Sequence, residues 1–202
     1  MGRTPKMVED RRDQILEAAL EVFAEKGFDR ATNKDIARAA GITPGLIYHY
    51  FKSKKEVLLE AVEKYSPLRV IRSVTPAMRA MPPEAFLRSV VQEVLSVLES
   101  EKFVAMLKVF LPEAMHKGVL APAVFSAMKE ATSFLAGFLR DKMQAGELQA
   151  ADADLASHLL LGGLMDLVLR RQIIRDPMVL KFSRDQIVQT VVDTTLKGLL
   201  PR

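Results

Sequence analysis

The chain has 202 residues, 49% hydrophobic and 27% charged, with a net charge of +4 and no cysteine. That length suits one or two domains with a substantial core, and the composition excludes a disordered chain. Without cysteine there are no disulfides, thiolate metal sites or cysteine nucleophiles, and no apolar run reaches the ~18 residues of a membrane span.

Residues 1–6 lack the apolar stretch of a secretory signal, and Lys6 stands where myristoylation of Gly2 needs a hydroxyl residue. A cytoplasmic location is therefore expected. Ile15, Ala18, Ala19, Val22 and Phe23 form a one-sided stripe that predicts a first helix, closed by Gly27. Two short helical patterns follow in TNKDIARAAGITPGLIYHYFKSKKEVL, residues 32–58. Asn33 is the expected cap of the second helix and Thr43 of the third, with Pro44 at a first helical position where its missing N–H is harmless.

The spacing within this stretch is that of a helix-turn-helix. Ala37 is small where two helices must cross closely, and Gly41 lets the chain leave the second helix at positive φ. Ile42 and Ile47 fill the wedge, which leaves the third helix projecting where it can enter a DNA major groove. Residues 30–55 also hold six basic residues (Arg30, Lys34, Arg38, Lys52, Lys54 and Lys55) against Asp35 alone. A solvated charged face would look similar, but here the cluster coincides with the helix-turn-helix and can neutralise phosphates.

Ser53 and Glu56 make a capping box that opens a fourth helix, with Val57, Leu58, Ala61, Val62 and Tyr65 on its inner face. Pro67, Pro76, Pro82 and Pro83 then mark a boundary region. Further helices are predicted over 84–99, 102–116, 122–145, 152–174 and 184–199, with Gly146 as a stop, Asp152 as a cap and Ser183–Gln186 as a second capping box. No stretch alternates as a strand would. The fold class is all-α, a DNA-binding domain over 1–55 followed by an effector-binding and dimerisation domain over 56–202.

Residues 23–58, FAEKGFDRATNKDIARAAGITPGLIYHYFKSKKEVL, closely resemble the TetR family of bacterial transcriptional regulators. Beyond them the resemblance is one of helix number and length. It implies a homodimer of nine- or ten-helix protomers that represses from a palindromic operator in double-stranded DNA and is released by a small molecule. It places Thr43, Pro44, Gly45, Tyr48 and His49 toward the groove, and Tyr48, Tyr50 and Lys54 toward phosphate and sugar. Thr32, Asn33 and Lys34 begin the second helix, where backbone N–H groups favour a phosphate. The chain departs from the family pattern at Pro44 and Leu46, which cannot donate from their side chains, so base readout must lean on Thr43, Tyr48 and His49.

Glycines on apolar helix faces allow close helix approach, and with the resemblance they point to a four-helix dimer seam. Its residues are Leu159, Gly162, Gly163, Leu167, Ile187, Val191, Thr194 and Thr195. The middle helices are rich in Phe and Met, and Phe103, Met106, Leu107, Phe110, Met128 and Phe134 are the candidate lining of a site for a hydrophobic effector, although an ordinary core has the same composition. Glu113 and His116 have the Glu-x-x-His spacing of helical metal sites, but the motif occurs once where a di-metal site needs it twice. No metal or other cofactor is expected, and His158 is read as a core histidine. A DNA-binding regulator or DNA-organising protein without effector, or a helical-bundle metal-binding protein or enzyme, are the competing readings; no nucleophile constellation or phosphate loop favours the enzyme.

Overall fold

The structure, a computed structural model, describes residues 5–115 and 121–197, and their side chains apart from residues 5–8, 110 and 112–115. Among the described residues every regular element is helical: α1 Pro5–Lys26, α2 Asn33–Ala39, α3 Pro44–Tyr50, α4 Lys54–Tyr65, α5 Leu68–Arg72, α6 Pro76–Arg79, α7 Pro83–Leu98, α8 Glu101–Met115, α9 Ala121–Gln144, α10 Ala153–Val168, α11 Pro177–Leu180 and α12 Arg184–Lys197. The longer helices fall where periodicity places them. The short α5, α6 and α11 lie in proline-punctuated stretches, each shorter than the window in which a helical period can be recognised. No helix among the described residues is long and apolar enough to cross a membrane.

Two compact units emerge, one of residues Met1–Ser66 with Glu101–Val124, the other of Pro67–Ser100 with Phe125–Arg202. These bounds differ from a linear division at residue 55, because α4 packs on α1, and α8 packs on both. In the first unit Ile15, Ala19 and Phe23 of α1, Ile36 of α2, Ile47 of α3 and Leu58 of α4 are buried in the core, and α8 buries Phe103, Met106 and Val109. Ion pairs join Asp13 to Lys64 and Glu17 to Lys102, linking α1 to α4 and α8.

In the second unit α7 packs against α5, α10 and α12. Its buried face carries Phe86, Leu87, Val91 and Leu95, and Phe86 stacks on Phe138 of α9 with ring centroids 3.9 Å apart. The expected helix over 152–174 changes character near its end, where Leu169–Ile174 form a π-helical turn closed by Arg175 at φ 60°. Glu99, at the end of α7, holds Arg171 of that turn at 3.0 Å and Arg184 of α12 at 2.9 Å, its own side chain only 8% exposed. Three elements thus meet at one nearly buried carboxylate.

Phe86 is fully buried, so Phe86→Ala should cost about 3–5 kcal/mol through lost transfer energy and a cavity. Urea unfolding followed by circular dichroism tests this; a cost under about 1 kcal/mol would mean that α7 and α9 do not depend on the stack.

Candidate nucleic-acid interface

The helix-turn-helix is built from local signals. Thr32, not Asn33, caps α2: its hydroxyl accepts from the Asp35 N–H, while the Asp35 carboxylate accepts from the Thr32 N–H and hydroxyl. Asn33 occupies the first helical position, its amide oxygen buried without a partner among the described residues. Gly41 leaves α2 at φ +61°, with Ile42 N–H donating to Ala37 at 2.9 Å and Gly41 N–H to Arg38 at 3.2 Å, the paired bonds of a glycine C-cap. Ala37, Ala40, Ile47 and Phe51 are buried, and Ile42 is half-buried.

The third helix presents its other side. Thr43, Pro44, Gly45, Tyr48 and His49 are exposed, Tyr48 to 63%. Thr43 caps α3 by position, with no side-chain hydrogen bond, so its hydroxyl remains available. Lys34 and Arg38 are exposed on α2, and Lys52 and Lys55 flank the start of α4. The side chains of these four make no hydrogen bond or ion pair among the described residues.

Three expected contacts are corrected. Tyr50 is 8% exposed and packs edge-on against His49, so it belongs to the core of the unit. The Thr32 N–H, expected to favour a phosphate, instead donates to the Asp35 carboxylate at 3.1 Å within the cap. Lys54 turns inward: its ammonium donates to the carbonyls of Phe28 (2.5 Å), Ala31 (2.9 Å) and Asp29 (3.2 Å) and lies 4.4 Å over the Phe28 ring. With three donors on three carbonyls, it fixes the loop between α1 and α2. Lys55, expected only as a member of the basic cluster, is the outward cation of the pair.

The residues expected to line an effector site fall on both units. Phe103 and Met106 are buried and Leu107 half-buried on α8 of the first unit, whereas Phe134 is half-buried and Met128 is 64% exposed on α9 of the second. The side chains of Phe110 and Glu113, and all of His116, lie outside the described residues. His158 is exposed, not a core residue; its Nδ1 is 2.8 Å from the Asp154 carbonyl and donates to it. Of the expected seam, Leu159, Gly162, Gly163 and Thr194 are exposed, while Leu167, Val191 and Thr195 are half-buried. Ile187 is buried in its own chain, on the face of α12 that packs against α7 and α10.

The profile of the tetR family of bacterial regulatory proteins matches residues 15–61, and that of the AefR-like transcriptional repressor C-terminal domain matches residues 85–198. The chain belongs to the TetR family. The transcriptional regulator UidR of Escherichia coli is 32% identical over 155 residues, 74% of this chain and 76% of UidR. The fatty acid degradation regulator FadR of Bacillus halodurans superposes with a TM-score of 0.72 at 28% identity, covering 97% of each chain. The SmeT–triclosan complex, whose SmeT is the repressor of a Stenotrophomonas maltophilia efflux pump, gives a TM-score of 0.77 at 24% identity over 95% of this chain and 92% of that one. This TetR-family chain is a DNA-binding transcriptional regulator.

Lys54→Met should lower stability by about 1–3 kcal/mol, since it leaves carbonyls without a charged donor. Lys55→Met should leave stability unchanged and reduce the slope of DNA affinity against salt by about one. Melting curves and binding at several salt concentrations separate the two; the reverse pattern would exchange their roles.

Hydrogen bonds from Lys26 first, then from the Thr32 hydroxyl and N–H, hold the Asp35 carboxyl well below the usual carboxylate range. Its folded-state pKa is depressed, so its stabilisation is present above the unfolded value near 4 and fades as pH falls. Between about pH 4 and pH 2 the parent should therefore lose stability more steeply than Asp35→Asn. Equal slopes in acid melts would contradict this role.

Proposed function

We propose that this protein is a homodimeric repressor that holds a palindromic operator and leaves it when a small hydrophobic ligand binds. It acts in the cytoplasm and has no catalytic role. The observation that carries the reading is the α3 surface, where Thr43, Pro44, Gly45, Tyr48 and His49 stand exposed between the free cations of α2 and α4. Pro44 and the half-buried Leu46 offer apolar contact to thymine methyls, while Thr43, Tyr48 and His49 supply the hydrogen-bonding groups.

The dimeric reading is supported by α10. Leu155 and Leu159 are 58% and 69% exposed, and a Cβ added at Gly162 or Gly163 would meet nothing within 4 Å in this chain. Such a face allows a second copy to approach closely, and a two-fold dimer would then read half-sites ~34–36 Å apart. Ile187 contributes by holding α12 in place, leaving Thr194 and its neighbours to meet the partner. SmeT, of the same fold, forms a complex with triclosan, in keeping with a small-molecule effector here. To displace the repressor, the ligand must favour the DNA-incompetent state; a ~100-fold preference corresponds to about 2.7 kcal/mol and weakens DNA binding by the same factor.

Leu159→Glu should give folded monomers, because Leu159 is exposed within its own chain, and should abolish specific operator binding. Sedimentation, circular dichroism and operator titration provide the test. A variant that stayed dimeric would move the interface away from α10, and a monomer with full affinity would refute the dimeric operator complex.

A further inference from the structure

A slot of about 20 Å³ lies inside the second unit, between α5, α7, α9 and α10. Leu87, Val91, Val94, Leu160 and Leu164 form its walls, and every other lining residue is likewise aliphatic or aromatic. It offers no side-chain donor or acceptor. Water has no partners there, so the space stays dry and its walls forfeit contacts. A ligand with hydroxyls or ring heteroatoms inside would leave them unpaired, whereas a hydrocarbon chain would lose nothing. Phe134 and Leu161, at the margin, are only half-buried and give the slot an open side. The space is far smaller than a chain, so binding must part these side chains.

The chemistry changes abruptly at that margin. The Arg79 guanidinium lies 4.9 Å over the Phe134 ring, and its nearest acid, Asp141, is 3.7 Å away, beyond hydrogen-bond range. The Arg79 side chain makes no hydrogen bond among the described residues. Nearby Arg72, next to the slot residue Ile71, is bound in two-pronged fashion by Glu130 at 2.6 and 2.8 Å, which leaves Arg79 as the cation with donors to give. The geometry points to an anionic single-chain amphiphile as the effector, its hydrocarbon tail in the α7–α9–α10 slot and its head group on Arg79. This rests on the reading of the protein as a ligand-released repressor and names the ligand's class.

The test uses the full chain and two readouts, calorimetric binding without DNA and release from a preformed operator complex. Dodecanoate and dodecyl phosphate should both bind if head charge alone matters, and a strong preference for one identifies the head. Dodecanol should bind about tenfold more weakly than the favoured anion, as the loss of a charge-assisted contact requires. Affinity should rise roughly fourfold per methylene from octanoate to dodecanoate. Arg79→Gln should remove the advantage over dodecanol, and Ala131→Leu, at a half-buried slot position, should weaken all the chains alike. Melting curves establish that both variants fold. Failure of both anions to bind overturns the inference, as does binding that neither substitution changes. If dodecanoate binds in the slot but the operator complex persists, the ligand site stands and the release mechanism falls. If a neutral polar compound releases the operator and no anion binds, the repressor reading stands and the amphiphile falls.

Discussion

Backbone carbonyls in the α1–α2 loop and at the ends of α2 and α3 receive side chains from α1 and α4, and the position of α3 depends on these ties. Lys54 of α4 supplies the carbonyls of Phe28, Asp29 and Ala31, just ahead of α2. Gln14 of α1 donates to the Ala40 carbonyl at the end of α2, at 2.6 Å. Arg12 of α1 donates to the Tyr50 carbonyl at the end of α3, at 3.1 Å, while its guanidinium pairs with Glu60 and covers the Phe51 ring at 4.7 Å. Helices of seven residues are too short to stand alone and leave most of their end groups without helical partners. Here α1 and α4 provide what the short helices cannot, and the recognition helix is held rigidly enough to present a fixed surface.

The same arrangement divides the basic residues by direction. Lys26 pairs with Asp35 at 2.7 Å, Arg12 with Glu60, and Lys54 with the loop, so these cations serve the fold. Lys34, Arg38, Lys52 and Lys55 are left facing solvent beside α3. Total charge is therefore a poor measure of the phosphate-binding surface. In the second unit, too, Glu99 draws Arg171 and Arg184 into one cluster, whereas Arg79 has only a loose ion pair with Asp141 at 3.7 Å.

Much of this was legible in the sequence because it rests on local rules. Gly27, Gly41 and Gly146 all take positive φ, and the Ser183–Gln186 box forms as spaced. At α4 only half of the expected box forms: the Ser53 hydroxyl accepts from the Glu56 N–H, while the Glu56 carboxylate accepts from the N–H of Lys52. Two errors were avoidable on the same grounds. Thr32 stands three residues before Asp35, a capping-box spacing that Asn33 lacks. Tyr48 and Tyr50, two apart on one helix, point to nearly opposite sides, so they could not both face DNA. The inward turn of Lys54 has no such local signal, since its carbonyl partners lie more than twenty residues earlier in the chain. Nor does the sequence assign the middle helices to a unit: Phe and Met mark buried helix faces without saying which unit buries them, and α8 packs with α1 and α4.

Hydroxyl-radical footprinting of Tyr48 tests whether the exposed side of α3 meets the DNA. At 63% exposure Tyr48 should react readily in the free protein, and an operator fragment selected from random duplexes should protect it while the buried Tyr50 stays unreactive in both states. A Tyr48 that reacts equally with and without bound operator would contradict the account.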